Sequence, residues 1–200
     1  FEQSRSSRNR GGERKLSEAE LNTRLRTGTF SIVSAGRNSK DPAEHDLAWN
    51  HPLFVRRHES LRRELQRGGH KFTEVVGHYG GLEKSFVVYH SSAPPKEQPK
   101  AFMVLHDSPS EFAAMRALGR KFNQDSVIHS LAGLHEMHFT TGAFAGEHHK
   151  GSGVRSVPDA SDYYTIAPTK EGKTKFTLDF DFDRHHHFDA ALLKADGAVP

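Results

Sequence analysis

The chain has 200 residues, 34% of them hydrophobic, which is enough for one domain with a sizeable core and too few for two large domains. It contains no cysteine, which excludes disulfides, thiolate zinc sites and cysteine nucleophiles. No apolar run approaches the ~20 residues that a membrane span needs, and no signal-peptide core is visible. We therefore expect a soluble protein that is neither secreted nor embedded in a membrane.

The first 27 residues are predicted to form a basic arm. Up to Arg26 the chain carries seven basic and four acidic residues, an excess that equals the +3 of the whole sequence, so the remaining body is balanced. Such an arm fits an anionic partner, either nucleic acid or an acidic protein surface, and a solvated tail without a partner is the open alternative. The candidate contacts in the arm are Arg5, Arg8, Arg10 and Arg14. The chain starts at Phe1 rather than at methionine, so we expect a processed or incomplete product whose true start the sequence does not give.

A strand and a helix follow the arm. The β-branched stretch "TFSIVSA" predicts a strand over 29–35, and "NHPLFVRRHESLRRELQRGG" predicts a helix with Pro52 near its start and two glycines at its end. Its inward stripe comprises Phe54, Leu61 and Leu65. Its outer face carries Arg56, Arg63 and Arg67, which suit a phosphate-binding surface or, in the interpretation we favour, a solvated face partly neutralised by neighbouring glutamates.

The middle of the chain predicts a hairpin, a strand and a second helix. "KFTEVVGHYGG" and "KSFVVYH" form the hairpin, and "AFMVLH" is a further buried strand. "SPSE" at 108–111 is a capping box that begins a helix, and "SVIHS" is the strand that follows this helix. The inward stripe of that helix is Phe112, Met115, Leu118 and Phe122.

The last sixty residues are less regular. "GAFAGEHHKGSGVRSVPDASD" is glycine-rich and predicts a long surface excursion, whereas "YYTIA" and "KFTLDFDFD" predict a hairpin. The predicted fold class is α+β: a mixed, mostly antiparallel sheet with two helices packed on one face. The predicted organisation is a basic arm at 1–27, a core domain at 28–140, and the excursion with the C-terminal β-hairpin at 141–200.

The acidic C-terminal strand is a candidate divalent-metal site. Three carboxylates that alternate along a strand stand ~7 Å apart on one face, and imidazoles follow them directly. Together they could hold an ion that activates water for phosphoester hydrolysis, although alternating charge also protects an edge strand from aggregation. The candidate ligands are Asp179, Asp181, Asp183, His185 and His187. No P-loop, dinucleotide fingerprint, zinc-protease motif or nucleophile elbow occurs, so the sequence indicates no catalytic residues.

Polar residues open two otherwise apolar strands. Glu83 and Ser85 begin one, and Gln124 and Ser126 begin the other. If these strands are neighbours, the glutamate and the glutamine could meet as a general base or, in the interpretation we favour, as a structural network.

At these residues the sequence resembles a small uncharacterised domain family of bacteria and tailed phages, which also occurs inside large polyvalent phage proteins. The resemblance rests on "SIVSA", "VVGHYGG", and a Glu-x-Ser-Phe strand followed after a helix by Gln-x-Ser-Val, and it covers roughly 29–130. It singles out the same four polar residues, with Tyr79 and Gly80 as support. It implies phage or bacterial origin, and hence a location in the virion or the host cytoplasm, without implying a reaction.

The leading functional prediction is a non-enzymatic phage protein that docks onto a larger protein assembly, a virion structural or assembly component, with nucleic-acid contact through the arm. One alternative is a metal-dependent hydrolase, either a nuclease or a nucleotide phosphohydrolase, that uses the acidic strand and its histidines. The other is a free nucleic-acid-binding module.

Overall fold

The computed structural model of the protein describes residues 11–38, 40–48, 50–79, 100–156 and 163–180. Within these ranges the chain forms three α-helices and nine β-strands. The helices are α1 (Glu18–Thr27), α2 (Pro52–Arg67) and α3 (Phe112–Lys121), the last preceded by a 3-10 turn at Pro109–Glu111. The strands are β1 (Gly12–Glu13), β2 (Thr29–Ser34), β3 (Lys71–Tyr79), β4 (Lys100–His106), β5 (Ser126–Leu131), β6 (Leu134–Phe139), β7 (His148–Ser156), β8 (Tyr163–Thr169) and β9 (Gly172–Phe180).

The strands form one sheet that closes on itself. Its order is β1-β3-β4-β2-β5-β6-β7-β9-β8, and β8 also pairs with β3, from Val76 opposite Ile166 to Tyr79 opposite Tyr163. All strands except β1 therefore form a closed, barrel-like antiparallel sheet. The two-residue β1 adds in parallel to the start of β3. The α+β class with a mostly antiparallel sheet is confirmed.

Two apolar clusters lie on opposite faces of this sheet. Alternation along β4 sends Phe102 and Val104 to one face, where Leu61 and Leu65 of α2 and Met115 of α3 cover them. The other face is the inward one of the barrel, and it holds the second cluster. Its members come from α1 and five strands, and they include Leu21, Leu25, Phe30, Val75, Met103, Leu105, Ala167 and Phe176.

Two parts of the chain are more regular than the sequence suggests. Residues 11–27, which we assigned to the arm, contain β1 and α1, and α1 is fixed by a capping box between Ser17 and Glu20 and by its buried leucines. The predicted surface excursion contains β7, which pairs with both β6 and β9 and bends at a register shift between Gly151 and Gly153. The sequence hides β7 because its glycines interrupt the alternation that marks a strand.

Candidate metal centre

Three side chains converge at one end of β3 and β4, on the face that carries α2 and α3. They are His70, which directly precedes β3, His106, which ends β4, and Glu111 of the 3-10 turn before α3. Their potential ligand atoms all lie within 4.8 Å of one another, and this is the one such group of three among the residues that the structure describes.

The backbone fixes His70 from both sides. Helix α2 ends at Arg67, and Gly69 then adopts a φ of 72°, a left-handed conformation that suits glycine. The His70 N–H donates to the Leu65 carbonyl at 3.0 Å, and the His70 carbonyl accepts from the Gly12 N–H at 2.8 Å. Gly11 packs so closely that an added Cβ would meet the Gly69 backbone at 2.0 Å. The backbone at His70 is therefore held rigidly, and 15% of the His70 side chain is exposed.

Glu111 faces both histidines with one oxygen. Its Oε2 accepts the Asp107 N–H at 3.1 Å, which turns Oε1 toward the Nδ1 atoms of His70 and His106, at 3.3 Å and 3.6 Å. Burial alone would raise the pKa of Glu111, but the Asp107 N–H and the two imidazoles lower it overall. Glu111 is therefore ionised at neutral pH, as a metal ligand must be.

His106 supplies the second observation that points to an ion. Its side chain is fully buried, yet its Nδ1 receives no hydrogen bond from any residue that the structure describes, and 3.6 Å is too long for one to Glu111. Burial lowers the pKa of His106, so the imidazole is neutral and a nitrogen can offer a lone pair. A buried polar atom without a partner is costly, and a bound cation would satisfy this one.

A row of polar side chains continues from His106 across the sheet. Ser31 of β2 lies between two imidazoles, with its Oγ 2.7 Å from His106 Nε2 and 2.7 Å from His129 Nδ1. His129 of β5 then contacts His138 of β6, with ring centroids 4.7 Å apart. Phe112, the first residue of α3, covers the row by stacking on His129 at 4.3 Å and meeting His106 edge-on at 5.5 Å.

Glu111, His106 and Ser31 repeat the order of groups in a serine hydrolase triad, but Ser31 is not placed as a nucleophile. A triad serine must reach its substrate, and Ser31 has 0% exposure. Its hydroxyl is also engaged by His129 as well as by His106. These contacts make Ser31 an outer partner of a ligand, which orients the imidazole.

The structure places the predicted polar cluster only in part. Gln124 is buried, and its Nε2 donates to the carbonyls of Gly36 at 3.0 Å and Phe122 at 2.9 Å, so its amide satisfies backbone. Ser126 begins β5 opposite Phe139. Glu83, Ser85 and Gly80 lie outside the described residues, so the proposed meeting of Glu83 with Gln124 stays a prediction.

Only some of the predicted metal-binding and nucleic-acid-binding residues lie within the described ranges. Asp179 lies on β9 opposite Gly153, whereas Asp181, Asp183, His185 and His187 fall outside the described ranges, as do Arg5, Arg8 and Arg10. The Arg14 N–H donates to the Phe72 carbonyl beside β3. On α2 the arginines of the predicted outer face are exposed, and Arg67 pairs with Glu64 at 3.2 Å.

Sequence reasoning missed the centre entirely. His70 follows two glycines, His106 ends a predicted strand, and the sequence predicts Glu111 as a helix-capping residue. No short motif contains all three. The available signal was weak: histidines at two element boundaries, together with a glutamate where a helix begins. In the structure this glutamate accepts from Asp107 instead of Ser108, so it departs from the capping box that we predicted.

Comparisons with known proteins add no assignment, since no protein-family model matches the chain and no curated protein matches its sequence. No helix among the described residues is long and apolar enough to cross a membrane.

Proposed function

We propose that this protein binds a divalent transition-metal ion through His70, His106 and Glu111. The observation that carries the proposal is the buried Nδ1 of His106, which has no hydrogen-bond partner among the described residues and lies near His70 Nδ1 and a Glu111 oxygen. Two imidazoles and one carboxylate favour zinc, iron(II) or manganese(II) over magnesium and calcium, which prefer oxygen ligands.

Three protein ligands leave room for water on the ion. Catalytic zinc sites have this composition, two histidines and a glutamate with a solvent position, whereas structural sites are closed by four protein ligands. His70 and Glu111 are each partly exposed, so solvent reaches the centre from their side. We therefore place the metal-dependent hydrolase of the sequence analysis at this centre rather than at the acidic strand, with activation of bound water as its chemistry.

The test is calorimetric titration of zinc and manganese into the full chain. Because consecutive histidines bind metal by themselves, His185, His186 and His187 are replaced by alanine in every sample. We expect one equivalent of ion to bind, and Glu111→Gln and His70→Gln to weaken binding at least about tenfold, since each removes a ligand. Glu111→Gln retains an oxygen for the Asp107 N–H, so the local fold is kept.

Two further variants make the result specific. His45→Gln is the matched histidine control, because His45 lies exposed in the loop before α2 and should leave binding unchanged. Asp181→Ala tests the carboxylates of the acidic strand without the histidines that follow them, and we expect no effect. Absence of stoichiometric binding, or binding that Glu111→Gln leaves intact, would contradict the proposal.

The exposed arginines of α2 favour a second candidate function, docking of an anionic partner. Arg56, Arg63 and Arg67 lie on one exposed face, and the arm is rich in arginine. This candidate keeps the earlier proposal of a phage protein that docks onto a protein assembly or onto nucleic acid.

A further inference from the structure

We propose that Ser31 couples the metal centre to His129, so that an ion on His106 determines which nitrogen of His129 carries the proton. The inference rests on the proposed metal-binding function and adds to it a defined proton chain across three strands, from β4 through β2 to β5.

The hydroxyl group of Ser31 has a single proton to donate. Ser31 Oγ lies 2.7 Å from His106 Nε2 and 2.7 Å from His129 Nδ1, so both contacts are hydrogen bonds. Ser31 can donate to one imidazole only, and the other imidazole then donates to it; if both imidazoles donated instead, the buried hydroxyl proton would have no acceptor among the described residues, which is costly. The tautomer of each histidine therefore depends on the tautomer of the other.

Two arrangements satisfy both hydrogen bonds and also give the hydroxyl proton of Ser31 an acceptor. In the first, His129 Nδ1–H donates to Ser31 and Ser31 donates to His106 Nε2, which leaves the proton of His106 on Nδ1, facing Glu111. In the second, His106 Nε2–H donates to Ser31 and Ser31 donates to His129 Nδ1, which leaves the proton of His129 on Nε2. Only the second arrangement gives His106 Nδ1 a lone pair for an ion.

The surroundings of His106 Nδ1 and His129 Nε2 determine which of the two arrangements is more stable. Without an ion, the first places an N–H of His106 at 3.6 Å from the Glu111 carboxylate. The second would place a lone pair there and an N–H on the buried Nε2 of His129, which has no hydrogen-bond partner among the described residues. Since an unpaired buried donor is costly, the first arrangement is preferred. An ion inverts this preference, because it binds the lone pair of Nδ1 and offsets the carboxylate charge.

Burial confines the exchange to these groups. Ser31, His106 and His129 are exposed by 0%, 1% and 2%, and Phe112 stacks on His129, so water does not replace the hydrogen bonds. Burial also lowers the pKa of His129 to about 3, which keeps that imidazole neutral, with one proton on one of two nitrogens.

Protons balance across the chain. On ion binding, His106 Nδ1 loses its proton to solvent at the partly exposed Glu111, Nε2 gains the Ser31 proton, and Ser31 gains the His129 Nδ1 proton. His129 Nε2 then takes one proton from solvent during local opening of the structure, the route by which buried groups exchange with water. The three side chains hold the same number of protons before and after, and only their positions change.

The experiment is nitrogen NMR of protein with ¹⁵N-labelled histidine, in the background without the C-terminal histidine run. Long-range proton–nitrogen correlations distinguish a protonated ring nitrogen from one with a lone pair, and His129→Gln assigns the signals. We expect one equivalent of zinc to move the His129 proton from Nδ1 to Nε2. In Ser31→Ala the zinc affinity should fall about tenfold and the His129 signals should not respond.

Ser34→Ala is the matched control on the same strand, because Ser34 contacts neither histidine, and it should behave as wild type. If Ser31→Ala does not fold, the wild-type titration alone still decides the question. Zinc that binds at one equivalent without changing the protonated nitrogen of His129 would overturn the coupling while leaving the metal centre intact. Absence of zinc binding would overturn the proposed function, and the coupling with it.

Discussion

Glu74, on the outer face of β3, shows how single residues hold α2 against the barrel. Its carboxylate accepts from His58 Nε2 at 2.9 Å, contacts Lys100 Nζ at 3.3 Å and pairs with the Arg62 guanidinium. The His58 hydrogen bond and the nearby cations outweigh burial and lower the pKa of Glu74 to about 2.

This pKa makes a prediction about acid stability. A carboxyl group whose pKa lies near 2 in the folded state and near 4.5 in the unfolded state stabilises the fold above pH 4.5 and loses that contribution as the pH falls toward 2. Glu74→Gln should therefore lower the free energy of unfolding at pH 7 by on the order of 2–3 kcal/mol and by less than half of that at pH 3.

Denaturant unfolding of both proteins at the two pH values measures the difference. Glu59→Gln is the control, since Glu59 is exposed and contacts only the edge of the same ion-pair network, at 3.5 Å from Arg62. A deficit of the same size at pH 7 and pH 3 would contradict the assignment.

At the residue scale, the sequence predicts burial better than it predicts contacts. The inward residues of α2 follow from helical periodicity, and Phe54, Leu61 and Leu65 are buried as expected. The pairing of Ser31 with His106 and His129 could not be predicted, because it depends on β2 lying between β4 and β5, and strand order leaves no mark in local sequence.

Helix α3 is the element that positions Glu111 and Phe112, and one glycine sets its distance from the sheet. An added Cβ at Gly119 would lie 2.6 Å from the Val127 side chain and 3.0 Å from that of Thr140. A larger residue must therefore push α3 away from β5, although alanine is otherwise the better helix former.

We expect Gly119→Ala to lower the free energy of unfolding by about 1–3 kcal/mol through overpacking, and to weaken zinc binding because Glu111 moves with the helix. Ala117→Gly is a suitable comparison, since Ala117 is exposed on the same helix and affects helix propensity without touching the sheet. Stability in Gly119→Ala equal to or above wild type would show that α3 does not depend on this contact.

Elements with strong periodicity were predictable, and those formed by tertiary pairing were not. Helix α2 and the start of the α3 segment follow from Pro52, Pro109 and the apolar stripes. Helix α1 was missed because its strongly charged sequence is typical of a solvated arm, and only two leucines mark its buried face. Strand β7 could not be predicted, because it forms through pairing with β6 on one side and β9 on the other.

The closure of the barrel governs the molecule as a whole. Pairing of β8 with β3 brings the C-terminal strands beside the N-terminal β1, so residues far apart in sequence share one surface. The α+β class follows from the alternation of patterns along the chain, but closure depends on which strands pair, and composition carries no information about that.

Docking of an anionic partner depends on the electrostatic field of many charges across the molecule. If nucleic acid contacts α2, the affinity for a duplex of about twenty base pairs should fall steeply with salt. Replacing Arg56, Arg63 and Arg67 by glutamate should reduce the slope of log affinity against log salt by about three units.

A matched triple variant with Lys150, Lys173 and Lys175 changed to glutamate alters net charge equally at other exposed positions. It should retain most of the slope. Salt-insensitive binding, or equal loss in both triple variants, would contradict a nucleic-acid surface on α2 and leave a protein assembly as the partner to seek.

Anomalous X-ray scattering at the zinc edge from zinc-loaded crystals shows whether His70, His106 and Glu111 hold one ion. We predict one strong peak about 2.0–2.2 Å from Nδ1 of both histidines and from a Glu111 oxygen. A peak only at the acidic C-terminal strand or at the histidines that follow it, or no ordered peak in fully loaded crystals, would contradict the account.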